Sequence, residues 1–505
     1  MNNKFIVTLD SGTTSCRTLV VDHQGQIRAI SQTEFTQYFP KSGWVEHDPL
    51  EIWNTQVSTM QSATNKAKIS SKEIAALGIT NQRETIVLWD KETGLPVYNA
   101  IVWQDRRTSD YCDELVAKGL ADKFSEKTGL IINPYFSGTK IRWILQNIEE
   151  AKTKLKDGKL LAGTIDTWLM WKLTDGKVHA TDVSNASRTL LFNIHTLEWD
   201  QEILDLLEIP REILPEVKDS STHFGFVESH HWSNKDKDLV PITGIAGDQQ
   251  SALFGQLCTE VGMVKNTYGT GCFTLVNTGT TAIKSSNKLL TTIAWKLENQ
   301  PTIYALEGSV FIAGAAIQWL RDSLRILYNS AESDFFTSLV QDDQRVYVVP
   351  SFTGLGAPYW DSYSRGAIFG LERGTKREHI IKATLDSIAY QSNDLIKAME
   401  KDLQKPIILL KVDGGASNSN YLMQFQSSIS NLKVERPANI ETTALGVSYL
   451  AGLAVGFWSS IDQIKQMVKP DRIFEPEFDE PTIDRLLKGW NTAVKKTLNW
   501  TKDIE

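Results

Sequence analysis

Phe5-Ile6-Val7-Thr8-Leu9-Asp10-Ser11-Gly12-Thr13-Thr14 is an apolar run that passes directly into a polar turn, and Met263-Val264-Lys265-Asn266-Thr267-Tyr268-Gly269-Thr270-Gly271 makes the same transition half a chain later. Residues 17–21 and 273–276, which follow the two turns, are rich in β-forming side chains, so each turn is predicted to be the tip of a β-hairpin. Glycine at such a tip lets backbone N–H groups approach an anion closely and tolerates a positive φ angle. A single Gly-Thr turn is common, but the pair predicts that two halves of the chain close on one polyphosphate, as in an ATP-binding cleft.

The side chains around the two turns differ. Threonine hydroxyls beside the glycines supply donors for phosphate oxygens in both copies. Only the first turn carries a carboxylate, that of Asp10, which would orient Mg²⁺ through water. The two tips are therefore expected to have unequal roles.

The composition is that of an ordinary globular protein. With 505 residues, of which 41% are hydrophobic and 23% charged, the chain is too long for one core, and two large domains are expected. The formal net charge of −8 and the dispersed lysines and arginines argue against a nucleic-acid partner. The sequence has no apolar run of about 18 residues and no charged-then-apolar leader, so a cytoplasmic location without membrane insertion is expected. Cys16, Cys112, Cys258 and Cys272 lack CxxC spacing and suggest neither a disulfide framework nor a zinc site.

Segments with strand and helix patterns alternate through both halves, which predicts an α/β fold. Residues 74–79 form an apolar run of strand length, whereas residues 379–399 have the apolar spacing of a long helix. No linker marks a boundary, but the stretch 246–255 comes just before the second hairpin. The sequence therefore predicts two mixed α/β domains, residues 1–250 and 251–505, that face each other across a cleft.

A polar cluster, Thr80-Asn81-Gln82-Arg83-Glu84-Thr85, follows the predicted strand 74–79, and ligands gather at the carboxyl ends of strands in open α/β sheets. A guanidinium offers only donors and a carboxylate only acceptors, so Arg83 and Glu84 together would bind the hydroxyl groups of a small polyol. Trp103, at the end of a second predicted strand, would pack against the C–H side of that molecule. The alternatives are a solvated charge pair and a tryptophan of the core.

A third strand exit, Val240-Pro241-Ile242-Thr243-Gly244-Ile245-Ala246-Gly247-Asp248-Gln249-Gln250, carries an apolar segment through two glycines into an aspartate that opens a predicted helix. Phosphoryl transfer to an alcohol needs in-line geometry, charge neutralisation and a carboxylate that accepts the hydroxyl proton as the new bond forms. Asp248 is therefore predicted to be the general base. The alternative is an aspartate that caps its helix, which stabilises a helix by about 1 kcal/mol and is compatible with the catalytic role.

Two segments rich in small residues are candidates for the adenosine side of the cleft. In Leu410-Lys411-Val412-Asp413-Gly414-Gly415-Ala416-Ser417-Asn418 a predicted strand meets a Gly-Gly turn before a helix, where the backbone can approach a flat ring or a phosphate. Residues 311–319 are helical in pattern and would form the opposite wall. Close helix packing is the alternative for this second segment.

These segments resemble the FGGY carbohydrate kinases, a family of the actin/Hsp70/sugar-kinase ATPase superfamily, and the resemblance spans nearly the whole chain. Tyr135-Phe136-Ser137-Gly138-Thr139-Lys140-Ile141-Arg142-Trp143 is similar to one long family signature, and Gly366-Ala367-Ile368-Phe369-Gly370-Leu371, continuing through His379 to Asp386, is similar to the other. Further segments resemble the members that phosphorylate glycerol: residues 43–49, 81–85, 247–250, 266–271 and 352–360.

The resemblance implies two ribonuclease-H-like (actin-like ATPase) domains, each a mixed sheet with flanking helices, hinged around an ATP cleft. It also implies that ATP and glycerol give sn-glycerol 3-phosphate and ADP, with Mg²⁺ held at Asp10 and Asp248, and that the protein is a homodimer or homotetramer. The implied glycerol contacts are Arg83, Glu84, Trp103, Tyr135, Asp248, Gln249 and Phe273. The implied nucleotide contacts are Thr13, Thr14, Ser15, Arg17, Thr270, Gly314, Gln318, Gly415 and Ser419.

Some positions depart from the family pattern. Asn is usual where Ser419 stands and Gln is frequent at Ser11, which leaves the nucleotide contacts at both positions open. The Gly-rich, Arg-containing loop that binds fructose 1,6-bisphosphate in some bacterial members is absent from residues 228–237, so that inhibition is not expected. Other members are phosphorylated on a histidine of this region by a phosphocarrier protein. His230 or His231 is the candidate acceptor here, and two exposed loop histidines are the alternative.

Two other functions stay open at the level of sequence. A kinase for another polyol or for a ketose would need a roomier pocket. An ATPase or filament-forming relative would use the phosphate clamp only to switch conformation. That last function does not require Arg83, Glu84, Trp103 and Asp248 beside the γ-phosphate, so their presence argues against it.

Overall fold

The computed structural model describes residues 4–232, 238–340, 345–502 and 504. The strands are β1 (Phe5–Ser11), β2 (Ser15–Asp22), β3 (Ile27–Glu34), β4 (Glu46–His47), β5 (Ile74–Asn81), β6 (Ile86–Asp90), β7 (Ala100–Ile101), β8 (Leu160–Thr164), β9 (Ala180–Asp182), β10 (Phe192–Asn193), β11 (Glu198–Trp199), β12 (Glu216–Lys218), β13 (Ser221–Val227), β14 (Val240–Gly247), β15 (Met263–Tyr268), β16 (Cys272–Gly279), β17 (Leu290–Trp295), β18 (Ile303–Val310), β19 (Tyr347–Val349), β20 (Ala367–Phe369), β21 (Leu409–Asp413), β22 (Val434–Pro437) and β23 (Pro470–Phe474).

The α-helices are α1 (Pro49–Ala67), α2 (Ser109–Ala117), α3 (Ala121–Thr128), α4 (Ser137–Asn147), α5 (Glu149–Lys156), α6 (Ile165–Leu173), α7 (Val183–Ala186), α8 (Gln201–Leu206), α9 (Asp248–Gly255), α10 (Gly314–Asp322), α11 (Ser333–Ser338), α12 (Arg377–Leu403), α13 (Asn420–Ser430), α14 (Thr442–Ala454), α15 (Ile461–Met467) and α16 (Glu480–Thr497). Short 3-10 turns lie at Ser71–Glu73, Arg211–Ile213, Ser229–His231, Ser330–Glu332 and Gly415–Asn418.

Two large mixed sheets organise the chain. Within the described ranges, the first has six strands in the order β13-β14-β5-β1-β2-β3, and the second has seven in the order β17-β18-β16-β15-β21-β22-β23. In each sheet an antiparallel hairpin, β1–β2 or β15–β16, has a parallel neighbour, β5 or β21, on the other side of its first strand. Every residue of β5 is buried, as expected for a central parallel strand covered on both faces. The predicted α/β class and the repeated hairpin are confirmed.

The hairpin tips close through backbone hydrogen bonds. Gly12 N donates to Ser15 O at 2.9 Å in the first, and Gly269 N donates to Gly271 O at 2.9 Å in the second. Gly12, Gly269 and Gly271 do not have a positive φ, although glycine would tolerate one at such a tip. Gly271 is instead required by close packing, because a Cβ there would lie 2.3 Å from the carbonyl oxygen of Val310 in β18.

Helix α14 belongs to the second half of the chain by sequence but packs on β1, β5 and β14 of the first sheet, and it crosses α9. The crossing brings the two helix backbones into contact, since a Cβ on Gly255 would lie 2.0 Å from Thr442 O and one on Gly446 would lie 1.8 Å from Ser251 O. The two sheets are therefore joined by a helix pair with no room for side chains at its centre.

Helix α12 confirms the predicted long helix and extends beyond it at both ends. The second predicted strand of the first half is shorter than expected, because β7 ends at Ile101 and Trp103 lies two residues beyond it. Cys16, Cys112, Cys258 and Cys272 are buried and free. Among the helices of the described ranges, none is both long enough and apolar enough to cross a membrane.

The substitution Gly446→Ala is expected to lower the free energy of unfolding by about 3 kcal/mol or more, because the added methyl group would overlap the Ser251 carbonyl and force the two helices apart. Gly415→Ala is the matched control, since a Cβ there meets nothing within 4 Å. Urea unfolding followed by circular dichroism measures both variants. Equal stability of the two would contradict the backbone contact between α9 and α14.

Candidate active site

Arg83 and Asp248 meet because they follow adjacent parallel strands. Asn81 at the end of β5 is in register with Gly247 at the end of β14. The Arg83 Nε lies 3.1 Å from Asp248 Oδ1 in an ion pair, and the Asp248 side chain keeps 28% exposure. Gly247, not Asp248, is the N-cap of α9, and Asp248 Oδ1 accepts from the next backbone N–H, that of Gln249, at 2.7 Å. The alternative that Asp248 is the N-cap residue of its helix is therefore wrong. Its carboxylate is accessible to a ligand.

Arg83 and Glu84 are not a solvated pair, because their side chains are only 2% and 1% exposed. The Arg83 guanidinium donates to both carboxylate oxygens of Glu307 in β18, at 2.6 and 2.9 Å, and to Gln250 Oε1 at 3.1 Å. Arg188 donates to Glu84 at 2.7 Å and to Glu307 at 3.0 Å. Two arginines and two glutamates thus form a buried network that connects the first sheet to the second.

The two glutamates of this network respond differently to burial. Burial alone would raise the pKa of Glu307, but the charges of Arg188 and Arg83 lower it to about 2. For Glu84, burial raises the pKa and outweighs the opposing Arg83 and Arg188. Glu307 is therefore the carboxylate of the network that favours the ionised form, and it pairs with both guanidinium groups.

Three half-buried aromatic side chains form a wall next to this network. The Trp103 ring contacts Tyr135 with centroids 5.5 Å apart, and Phe273, from the strand after the second hairpin tip, with centroids 6.4 Å apart, both edge-on. Trp103 Nε1 also donates to Thr13 Oγ1 of the first tip at 3.1 Å. The structure therefore brings residues of both hairpins to one place, and Trp103 is not a core residue.

A buried lysine forms a hydrogen bond with the backbone of Tyr135. Lys140, in the first turns of α4, donates from Nζ to the Tyr135 carbonyl oxygen at 2.7 Å. Burial lowers the pKa of Lys140 to about 7. This lysine fixes the backbone that carries the Tyr135 ring.

Gln249 lies beside the second sheet. Its side chain is buried, and its Oε1 accepts from Lys265 Nζ in β15 at 2.5 Å. The amide that the resemblance assigns to a ligand is thus already bonded through its oxygen, which leaves its NH₂ group for further contacts.

Asp10 has the surroundings of a cation ligand. Its half-buried carboxylate makes no hydrogen bond or ion pair with the rest of the described chain, yet it lies near enough to Asp248 for the two charges to interact. Burial raises the pKa of Asp10 to about 6 against the opposing charge of Arg17, and the carboxylates of Asp248 and Glu441 add to the rise. Two neighbouring carboxylates supply the oxygen ligands that Mg²⁺ prefers.

Arg17, expected at the phosphates, forms an ion pair through one guanidinium nitrogen with Glu441, the residue that precedes α14. Its side chain is 25% exposed. Thr14 is exposed at the first tip, and Ser15 Oγ accepts from Gln32 Nε2 at 3.0 Å. The first tip is therefore accessible to a ligand. Its cation, Arg17, is paired with Glu441 from the second half of the chain.

The second tip rests on the start of α10. The carbonyl oxygens of Gly269 and Thr270 accept from Gly314 N and Ala315 N at 3.0 and 3.1 Å. A Cβ on Gly314 would lie 2.5 Å from Gly269 O, so glycine is needed at that position. The structure thus brings Thr270 and Gly314 together.

The remaining nucleotide candidates lie further along the second domain. Gly415 is exposed in the turn after β21, and Gln318 is exposed on α10. Ser419 caps α13 by accepting from Leu422 N at 3.0 Å, and its hydroxyl donates to Asp334 in α11. Among the described residues, no side-chain hydrogen bond or ring contact connects these three positions to the aromatic wall of Trp103, Tyr135 and Phe273.

Known protein families and structures resemble this chain over nearly its full length. The chain matches the FGGY family of carbohydrate kinases, N-terminal domain, over residues 5–255 and the C-terminal domain of the same family over residues 264–455. The chain belongs to the FGGY family of carbohydrate kinases. It is 75% identical to glycerol kinase of Mycoplasmopsis pulmonis over 504 residues, which is 100% of this chain and 99% of that protein. It is 55% identical to glycerol kinase of Haemophilus influenzae, over 100% of this chain and 99% of the relative.

A solved structure, Plasmodium falciparum glycerol kinase with ADP, superposes with a TM-score of 0.92 at 38% identity and covers 98% of each chain. The predicted fold, two mixed α/β domains of the actin-like ATPase type, is therefore confirmed for this FGGY-family chain.

Sequence reasoning missed four site residues of this FGGY-family protein: Arg188, Lys265, Glu307 and Glu441. Arg188, Glu307 and Glu441 each lie at least 104 positions along the chain from their partners, so no local motif contains both members of a pair, whereas Lys265 lies only 16 positions from Gln249. A signal existed for Glu307, which is a single charge within the apolar strand β18. A charge at a buried strand position requires a partner.

Glu307→Gln is expected to lower the free energy of unfolding by about 3 to 5 kcal/mol at neutral pH, because Arg83 and Arg188 lose their shared anion. The pKa of Glu307 lies near 2, below its ordinary 4.5, so this stabilisation is complete above the ordinary pKa and disappears as the pH falls toward 2. Urea unfolding from neutral pH down to about 3 tests both statements.

Glu260→Gln is the control for that experiment, because Glu260 is exposed and pairs with Lys465 at the surface. Its effect should stay within about 1 kcal/mol. If Glu307→Gln costs no more than Glu260→Gln, or if its cost does not change with acid, the network does not stabilise the fold as argued.

Proposed function

We propose that this chain transfers the γ-phosphoryl group of ATP to glycerol, giving sn-glycerol 3-phosphate and ADP, in the cytoplasm. The observation that carries the proposal is the Arg83–Asp248 contact at 3.1 Å, next to the aromatic wall and the first hairpin tip. It combines a donor, a solvent-accessible carboxylate and an apolar face within one small space. The high identity to glycerol kinases over the whole chain supports the same conclusion.

The polar network would select the substrate. Glu307 and Gln250 fix the Arg83 guanidinium, and Arg188 fixes Glu84, so neither group has to reorganise when a hydroxyl arrives. Glycerol hydroxyls would accept from Arg83 and donate to Glu84, with Gln249 as a further partner. The carbon side of glycerol would pack on Trp103, Tyr135 and Phe273, all of which are half-buried.

Asp248 would act as the general base. Its ionised carboxylate would accept the proton of the attacking hydroxyl while the new O–P bond forms and the bond from phosphorus to the ADP oxygen breaks. The contact with Arg83 orients the carboxylate, and its 28% exposure leaves it accessible to the substrate. In-line transfer requires the two hairpin tips to hold the nucleotide on the opposite side.

For the nucleotide, the proposed phosphate contacts are Thr13, Thr14, Ser15, Arg17 and Thr270, with Gly314, Gln318, Gly415 and Ser419 toward the adenosine. Arg17 would exchange Glu441 for a phosphate oxygen, to which a guanidinium also forms a charge-assisted hydrogen bond. Asp10 and Asp248 would hold Mg²⁺. When bound, that ion neutralises the charge that develops on the transferring phosphoryl group.

Two domains, residues 1–250 and 251–505, are proposed, and this division is supported by the strands of the two large sheets, which lie before Asp248 and after Gly262. Helix α14 is the exception, because it packs on the first sheet. A homodimer or homotetramer is proposed from the resemblance. Light scattering coupled to gel filtration measures its mass, and a monomer would contradict it.

Asp248→Asn is expected to reduce kcat by about 10²- to 10⁴-fold, because an amide cannot take the hydroxyl proton. Its oxygen can still accept from Arg83, so the thermal midpoint should remain close to that of the unmodified protein. A coupled assay for ADP measures kcat. Asp205→Asn, an exposed helical position, is the control and should keep full activity. An unchanged kcat in the Asp248→Asn variant would refute the assignment of Asp248 as the general base.

A substrate panel of glycerol, dihydroxyacetone, xylulose and gluconate with MgATP tests the choice of acceptor. Glycerol is expected to have the highest kcat/KM, because sites that bond each hydroxyl discriminate by roughly 10⁴ against analogues lacking one. A preference for a ketose would identify a different kinase of the same family. No transfer to any of the four would favour the nucleotide-switch function instead.

A phosphocarrier protein is a further proposed partner. His230 and His231 lie in the turn Ser229–His231, whereas residues 233–237 of this loop lie outside the described residues. His230 is the better acceptor, because its side chain is 61% exposed and that of His231 only 11%. After incubation with a phosphorylated carrier, mass spectrometry should find phosphate on His230 and none on His230→Ala. No added phosphate on the unmodified protein would dismiss this partner.

A further inference from the structure

A depression of about 370 Å³ lies on the surface of the first domain, between the end of α6 and the Ser229–His231 turn. Asp175, His230 and His231 converge in it, with all three possible ligand atoms within 4.8 Å of one another. Trp53 and Lys172 also line this depression. None of these residues belongs to the proposed active site.

The spacing of the three groups matches a metal coordination sphere. His231 Nε2 lies 3.2 Å from Asp175 Oδ1, and His230 Nε2 lies 3.5 Å from the same oxygen. In a tetrahedral zinc site with ligand distances of about 2.0–2.1 Å, neighbouring ligand atoms are roughly 3.4 Å apart. The observed distances are therefore those of two edges of such a tetrahedron.

Hydrogen bonding alone explains this arrangement poorly. Two imidazole rings, with centroids 4.0 Å apart, both direct Nε2 at one carboxylate oxygen. A carboxylate has a second oxygen that could take one of them separately. A cation placed between the three atoms would be bonded by all of them.

The backbone around the ligands is already fixed. Gln61 Nε2 donates to the His231 carbonyl oxygen at 2.9 Å, and the Trp53 ring packs edge-on against the His231 ring at 5.1 Å. Asp175 sits in the left-handed region, with φ of 50°, and its N–H bonds Lys172 O at 3.3 Å at the end of α6. Little reorganisation would be needed to bind an ion, which favours affinity.

We propose that Asp175, His230 and His231 form a binding site for one divalent transition-metal ion such as Zn²⁺, with water completing the coordination. Two imidazole nitrogens and one carboxylate are the ligands that zinc accepts, whereas Mg²⁺ and Ca²⁺ prefer an all-oxygen set. The bound ion would join the end of α6 to the Ser229–His231 turn. It would do so without touching the cleft.

Metal binding to the full-length protein tests the proposal. The chain is first freed of metal with a chelator and then titrated with Zn²⁺ by calorimetry in excess Mg²⁺, which occupies carboxylate-only sites such as Asp10 and Asp248. One Zn²⁺ per chain is expected. Replacing Zn²⁺ with Co²⁺ should produce the visible absorption of a tetrahedral nitrogen–oxygen site, which scattered surface binding would not.

Variants locate the ion. Asp175→Asn and His231→Ala should each weaken Zn²⁺ binding by at least about 10-fold, as expected when coordination is disturbed. His223→Ala is the matched control, because His223 is an exposed histidine on β13 with no place in the cluster. Circular dichroism of each variant checks that the fold is kept. Binding that is unchanged in Asp175→Asn, or weakened as much in His223→Ala, would overturn the proposal.

Discussion

The buried network of Arg83, Arg188, Glu84 and Glu307 is the interaction on which the geometry of the cleft depends. A buried charge is costly unless it is paired, and both arginines here share Glu307, on a strand of the second sheet, as a partner. The two sheets therefore have to be docked before the proposed glycerol-binding groups are ordered. The same contacts that stabilise the fold also hold the Arg83 guanidinium in position to meet Asp248.

The two hairpins have the same topology but different surroundings. The first tip has Asp10 and an exposed Thr14, and its cation, Arg17, is paired with Glu441 from the start of α14. The second tip is packed closely against α10 through Gly269 and Gly314. One tip is thus exposed and carries a carboxylate, and the other is packed against a helix, so the surroundings of the two tips are unequal, as the single carboxylate led us to expect.

The sequence could predict the features that are local. The strand ends carrying Arg83 and Asp248, the paired hairpins and the long helix each leave a periodic or turn signature within about ten to twenty residues, and these were found. The partners of those residues could not be found in this way, because Glu307 lies 224 positions from Arg83. Nor could burial be read from Arg83-Glu84 alone, since adjacent charges are usually solvated. The reason for the glycine at position 271 could not be read from the sequence either, because it lies in close packing against the Val310 carbonyl rather than in an unusual backbone angle.

The placement of α14 has a consequence for how the protein is made. The first sheet has its apolar face covered by a helix that begins at Thr442, so a nascent chain leaving the ribosome cannot complete that domain when its own strands have emerged. Until nearly all of the polypeptide has been synthesised, Leu253 and Phe254 of α9 lack their α14 neighbours, and their apolar side chains remain incompletely covered. Premature termination before this helix would leave an aggregation-prone fragment rather than a working half, and newly made chains would depend on chaperones during that interval.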